Sequence, residues 1–263
     1  MLRSLYSAAA GLLATNLEDG VVADNLANSE TAGYKQRQAT LGTFATMAVQ
    51  RAQPFATALG TLGGTTYQPL APLASGALVN QTATDWSTGP LQHSSNPLAA
   101  AINGPGFFAV STAQGVRYTR GGDFRFSASG GLTDAYGDPV LDAAGRPIVA
   151  PGGQSRGPAT LQAGGQVAIA GTVVGTIGVF AAPTAALSPV GNGLYALAAG
   201  TPAPGAQPGA TLQPGFVEGS NVDLIGQMAA LLQIQQAFAT DSQAVQTAGT
   251  TLNIGITQVG TVS

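Results

Sequence analysis

The chain has 263 residues, enough for one large domain or two modest ones, and 44% of them are hydrophobic, much of that alanine. Only 8% are charged, against roughly 25% in an ordinary soluble domain, and nine scattered cations with a net charge of -3 exclude a phosphate-binding surface, hence nucleic acid as a partner. Cysteine is absent, which excludes disulfides and thiolate chemistry, and no apolar run reaches the roughly 18 residues that cross a bilayer. Glycine (37) and proline (16) favour turns and irregular connections. A surface so poor in charge is either covered by something or dressed in neutral polar groups, and the first option points to assembly.

Taken in chain order, the first element is a helix from Leu2 to Asn28, roughly 40 Å long at the standard rise. Its apolar register runs Leu2, Leu5, Ala9, Leu12, then Asn16, Asp19, Ala23 and Leu26, with a second column at Leu13, Leu17 and Val21. Gly11 and Gly20 interrupt it, each costing about 1 kcal/mol relative to alanine, so it needs a partner to be stable. Arg3 precedes an apolar run from Ala8 to Ala14, but that run is short and Glu18 and Asp19 follow it, so no cleaved signal peptide is expected. The segment Asn28-Ser29-Glu30-Thr31-Ala32-Gly33 supplies stop chemistry, with side chains that bond backbone and a glycine free to take positive φ.

Residues 36–90 lose clear period and read as an extended connector, with a few strands, that orders by lying against something else. Strand signals strengthen at Ala101-Ile102, followed by a turn at Asn103-Gly104-Pro105-Gly106 and a strand at Phe107-Phe108-Ala109-Val110. Further short strands are predicted at Arg117–Arg120, Phe124–Phe126, Pro139–Leu141, Ile148-Val149, Val167–Ile169 and Thr176 to Phe180, together a small antiparallel sheet folded on itself. Thr201 to Pro214 reads as a Pro- and Gly-rich connector back to the helices.

The last helix opens at Ser220-Asn221-Val222-Asp223, a capping-box spacing. From Leu224 a register of alternating four and three runs Leu224, Met228, Leu231, Gln235, Phe238, Ser242, Val245, Gly249, Leu252, Ile256, Val259, and eight of these eleven are apolar. That stripe is coiled-coil-like. The expected fold is therefore α+β: N- and C-terminal helices paired as a coiled-coil-like base, with a central, mainly antiparallel β domain. The expected divisions are 1–35 with 216–263 as a terminal helical domain, 36–90 as connector, 91–200 as a β-rich outer domain and 201–215 as the return linker.

The inventory of reactive groups is thin. His93 is the only histidine, in the polar turn Leu91-Gln92-His93-Ser94-Ser95, and reads as an exposed loop residue. One histidine and no cysteine argue against zinc. Asp134, Asp138 and Asp142 recur at a spacing of four but lack the ligand density of a calcium loop, and read as turn formers. Gly104-Pro105-Gly106 leads into a strand, not into the helix that would hold a phosphate, and the sole lysine, Lys35, follows Tyr34, so no nucleotide loop exists. No catalytic, cofactor or metal site emerges, and no small-molecule substrate is expected.

Three blocks together resemble the flagellar rod and hook family, the axial proteins of the bacterial flagellum. The first is Asn25-Leu26-Ala27-Asn28-Ser29-Glu30-Thr31-Ala32-Gly33-Tyr34-Lys35. The second spans Asn96-Pro97-Leu98, Ala101-Ile102-Asn103-Gly104 and Gly106-Phe107-Phe108, continuing to Tyr118-Thr119-Arg120-Gly121-Gly122-Asp123-Phe124 and Gly131-Leu132. The third is Gly219-Ser220-Asn221-Val222-Asp223-Leu224 with the helix after it. The blocks fall in family order, and chain length resembles the rod proteins rather than the longer hook protein. Asp241 stands where the family commonly has Asn.

The resemblance implies a rod subunit that leaves the cell through the flagellar type III export apparatus and polymerises helically around a channel in the basal body. Its partners would be further copies and other rod and hook subunits, with no insertion in a membrane. Leu224, Met228, Leu231, Phe238, Val245, Leu252 and Ile256 would carry the seam, and Leu5, Leu12 and Leu26 would meet them. Thr31, Gly33, Tyr34 and Lys35 would set the turn out of the inner layer. The alternative is a secreted β-rich binding module or adhesin with helical termini, which would be a soluble monomer with a preformed pocket.

Overall fold

The computed structural model describes residues 2–43, 47–56, 62–73, 77–151, 157–162, 164–207 and 209–260, with the side chains of 2–6, 41–81, 255 and 258–260 outside that description. The fold is α+β, with two long helices, α1 (Leu2–Ala27) and α2 (Leu224–Gly260), and short, mainly antiparallel strands between them. The chain forms two compact units. Unit 1 takes residues 1–24, 37–83 and 225–263, and unit 2 takes residues 25–36 and 84–224.

Unit 1 holds most of both helices and the strands of residues 37–83, including the antiparallel hairpin Met47–Ala56 with Leu62–Leu73. Within it α1 approaches α2 at Gly11, where an added Cβ would lie 2.8 Å from Oδ2 of Asp241. The helix-weakening glycine is thus the residue that admits the only charged side chain of α2. That helix manages without charge because Thr240, Thr247, Thr250, Thr251 and Thr257 each donate their hydroxyl to the carbonyl four residues back. The helix opens at Leu224, later than the capping-box spacing predicts: Ser220 Oγ accepts from the Val222 amide at 3.3 Å, a local turn that keeps the chain non-helical there.

Unit 2 is built on a five-stranded antiparallel sheet in the spatial order Val179–Phe180, Phe107–Thr112, Gly115–Thr119, Leu194–Leu197, Leu187–Gly191. The run Phe107-Phe108-Ala109-Val110 is apolar at every position because both faces are covered. Phe108 and Val110 enter one core with Ile102, Phe124, Leu132 and Val140, while Phe107 and Ala109 enter a second with Tyr118, Leu141, Phe180 and Tyr195. Pro139–Leu141 and Ile148-Val149 make single bridges rather than ladders, among them Val110 with Val140 and Gly131 with Val149. The stretch read as a return connector contributes a strand, Thr211–Pro214, paired antiparallel to Ala100–Asn103, and the next strand, Phe216–Glu218, pairs with Leu91–His93.

Candidate functional site

The segments by which the chain enters and leaves unit 2, residues 25–36 and 216–224, cross beside the second motif block. The backbones come very close there. Gly33 has φ +71 and donates its amide to the carbonyl of Glu218 at 2.7 Å, and a Cβ on it would fall 2.1 Å from the amide nitrogen of Gly121. A Cβ on Gly122 would fall 1.7 Å from the carbonyl oxygen of Ala100, and one on Gly89 would fall 2.0 Å from that of Gly219. No side chain fits at these three positions, which is the physical reason the motif blocks carry glycine at 33 and 122.

Three ions are buried at this crossing. Lys35 is 1% exposed and Glu218 is fully buried; the ammonium donates to Glu218 Oε1 at 2.5 Å and to the Ser87 carbonyl at 2.6 Å. Arg120 donates Nη1 to Glu218 Oε2 at 3.2 Å and Nη2 to the Gly104 carbonyl at 2.9 Å, with its guanidinium 5.4 Å from the ring centroid of Phe107. The Gly89 amide adds a further bond to Glu218 Oε1. Burial pushes both Lys35 and Arg120 below their ordinary pKa values, while Glu218 pulls the other way. Such a triad is costly to desolvate and more costly to break, so its physical effect is to fix one arrangement of the three segments.

The remaining motif residues support the crossing. Asn25 is buried, and its Oδ1 accepts from the Tyr34 hydroxyl at 3.2 Å. The Oδ1 of Asn28 accepts from the Thr31 hydroxyl, which closes the turn after α1. Asn221 works as a clamp: its Oδ1 accepts from the Gln36 amide at 2.7 Å, and its Nδ2 donates to the carbonyls of Asp85 and Ser87. The Thr119 hydroxyl donates to the Gly193 carbonyl and accepts from the Gly121 amide. Gly104 and Gly106 have φ +106 and +126 and turn the chain between two strands. Tyr118, Phe107 and Phe108 belong to the cores, and Ser220 and Val222 form the turn before α2.

Reading the sequence missed Glu218, Trp86, Ser87 and Tyr195, whose hydroxyl accepts from the Lys35 amide. One signal pointed to Glu218. Two motif blocks carry a cation, the chain holds only twelve acidic residues, and this one abuts the third block. His93 is exposed and meets the ring of Phe216 edge-on at 5.5 Å. Asp134 and Asp142 accept backbone amides within their own turns, from Tyr136 and Asp138 and from Ala144 and Arg146.

The residues predicted for a helical seam do not gather at this site. Along α2, Leu224, Met228, Phe238 and Ile256 are exposed, and Leu231, Val245 and Leu252 are half-buried; Leu12 and Leu26 of α1 are half-buried, and the side chain of Leu5 lies outside the described residues.

The buried ions hold chain segments to one another, and α2 carries a single charged residue. Residues 213–258 match the family model for the flagellar basal body rod FlgEFG protein C-terminal region, and residues 101–174 match that for the flagellar hook protein FlgE/F/G D1 domain. The chain is 32% identical over 260 residues to the flagellar basal-body rod protein FlgG of Bacillus subtilis (strain 168), covering 94% of this chain and 95% of that protein. It is 29% identical to the flagellar basal-body rod protein FlgF of Mesorhizobium japonicum over the full length of both. It is also 35% identical to the flagellar hook protein FlgE of Helicobacter mustelae over 136 residues, half of this chain and 28% of that one. The chain therefore belongs to the flagellar basal-body rod and hook protein family. Members of this family named here are structural subunits, not enzymes.

Proposed function

We propose that the chain is a structural subunit of the flagellar basal-body rod, polymerising helically into the hollow shaft that carries motor torque to the hook. One observation carries the reading. Ile225 is 79% exposed, Leu232 67% and Ile256 70%, on a helix whose only charged residue is Asp241. Apolar side chains left uncovered at this density mark an interaction surface.

Export proceeds through the flagellar type III apparatus, and the subunit's site of action is the rod within the cell envelope. Residues 1–35 and 216–263 form the polymerising part, with α1 and α2 pairing as a coiled-coil-like inner layer. The seam on α2 is Leu224, Met228, Leu231, Phe238, Val245, Leu252 and Ile256, met by Leu5, Leu12 and Leu26. Residues 91–200 form the outer β-rich layer, reached through 36–90 and left through 201–215. The mechanism is mechanical. Packed apolar seams resist twist between subunits, and the Lys35–Glu218–Arg120 triad resists shear within one.

Two measurements test the reading. Deleting the gene should abolish motility and leave basal bodies without a complete rod; normal basal bodies would overturn it. Amide exchange on the purified monomer should be fast in α1 and α2 and slow in the strands of unit 2. Full protection of both helices in the monomer would remove the coupling of helix order to assembly.

A further inference from the structure

Beside the triad, unit 2 contains an open cleft of about 510 Å³. Lys35, Arg120, Trp86, Phe107, Ala182 and Thr184 are among the residues that line it. Two cations therefore face the cleft while sharing a single carboxylate, that of Glu218. The hydrogen-bond inventory is also incomplete. Arg120 is 6% exposed, yet its Nε makes no hydrogen bond among the described residues. Lys35 uses two of its three N–H donors, on Glu218 and the Ser87 carbonyl. A buried guanidinium donor left unpaired is costly, and its natural complement is a carboxylate, whose two oxygens accept charge-assisted bonds.

We infer that this cleft is a docking socket for an acidic side chain presented by a neighbouring copy of the same chain. An entering carboxylate would act on the pair as a counter-charge in the mouth of the cleft, since Lys35 and Arg120 leave only 1% and 8% of their side chains exposed. The depressed pKa values of Lys35 and Arg120, caused by burial, agree with cations short of counter-charge. Asp85 acts on Lys35 from outside the lining and leaves Arg120 unaided. Unit 2 offers exposed carboxylates at Glu30, Asp123 and Asp223. The occupant, though not the socket, rests on the rod-subunit reading: a contact of this kind would key the outer faces of adjacent subunits in register, which apolar seams alone do not specify.

The chain carries its own reporter, because Trp86 is its only tryptophan. Titrating the full-length monomer at constant ionic strength with N-acetyl-glutamate amide should shift Trp86 emission saturably in the millimolar range, while the N-acetyl-glutamine counterpart should not. Equal responses to the two, or none to either, would overturn the socket whatever the protein's role. Thr184→Glu, at the exposed rim, places a carboxylate there in cis and should raise the concentration needed for polymerisation about tenfold, with Ala113→Glu on a remote hairpin turn as the charge control. Wild-type polymerisation by Thr184→Glu would overturn the inference, whereas a wild type that never polymerises would count against the rod reading instead. Of Glu30→Gln, Asp123→Asn and Asp223→Asn, one should reproduce the Thr184→Glu defect; if none does, a second copy is not the occupant.

Discussion

In the unit formed by residues 25–36 and 84–224, three ions are buried and tied together, and large apolar side chains fill two cores. In the unit that holds α1 and α2, Ile225, Leu232 and Ile256 face solvent on a helix with one charge. One unit ties its own segments together, while the other presents apolar surface along a helix. The difference teaches where each is specified: the first by contacts within the chain, the second by contacts that a further chain must supply. The proposed rod subunit needs both, a unit held by its own contacts and helices left available to a further chain.

The largest expected effect breaks the comparison at the helices. Met228→Asp or Phe238→Asp should abolish polymerisation, because a charge would be buried in every seam. The same changes should leave the melting of unit 2 within about 0.5 kcal/mol of wild type, as substitutions at exposed positions do. Sedimentation and calorimetry on one preparation read both quantities. Polymers of normal length from either variant would mean that α2 is not the seam.

The next effect lies in unit 2 and has the opposite pattern. Glu218→Gln leaves Lys35 and Arg120 buried without their anion, which should cost about 3–5 kcal/mol and lower the melting temperature by on the order of 10 °C. Lys35→Met keeps the Glu218–Arg120 pair and should cost less, and the double variant should lose less than the sum of the two. Additive losses would show that the three ions do not act as a unit.

Glycine substitutions sharpen the contrast further. Gly33→Ala meets the Gly121 backbone at positive φ and should cost about 2–3 kcal/mol. Gly20→Ala in α1 meets nothing within 4 Å and should stabilise the helix by up to about 1 kcal/mol. Amide exchange in α1 reads the second change, and a loss of protection there would contradict the open surroundings of Gly20.

How much of this was legible in the sequence follows from the range of each signal. α1 was read to within a residue of its end, because apolar period and stop residues are local. The strand Phe107–Thr112 announced itself by an unbroken apolar run. The pairing of Thr211–Pro214 with Ala100–Asn103 was not legible, since over a hundred residues separate the partners and a proline ends the strand. The triad was half legible. Lys35 and Arg120 sat inside recognisable motifs, but Glu218 lies in a short strand whose local pattern says nothing about an ion 183 residues away. The Gly11–Asp241 approach was invisible for the same reason, and the glycine read as a weakness until the opposite helix was placed.

The smallest effect concerns a turn that unit 2 closes locally. The Asp142 carboxylate is held below the usual aspartate range, chiefly by the amide of Arg146, aided by that side chain at 3.1 Å and the amide of Ala144. A depressed pKa means that the folded state binds the proton more weakly than the unfolded state. The turn's contribution is therefore present above the unfolded value and is lost as pH falls through the folded one. Asp142→Asn keeps an oxygen acceptor for the two amides but removes the charge. At neutral pH it should melt slightly below wild type, and the gap should close on acidification below the ordinary aspartate range. A gap that stayed constant with pH would assign the stabilisation to turn geometry, with the charge contributing nothing. Polymerisation should be unchanged in this variant, because nothing in the proposed seam or socket includes the turn.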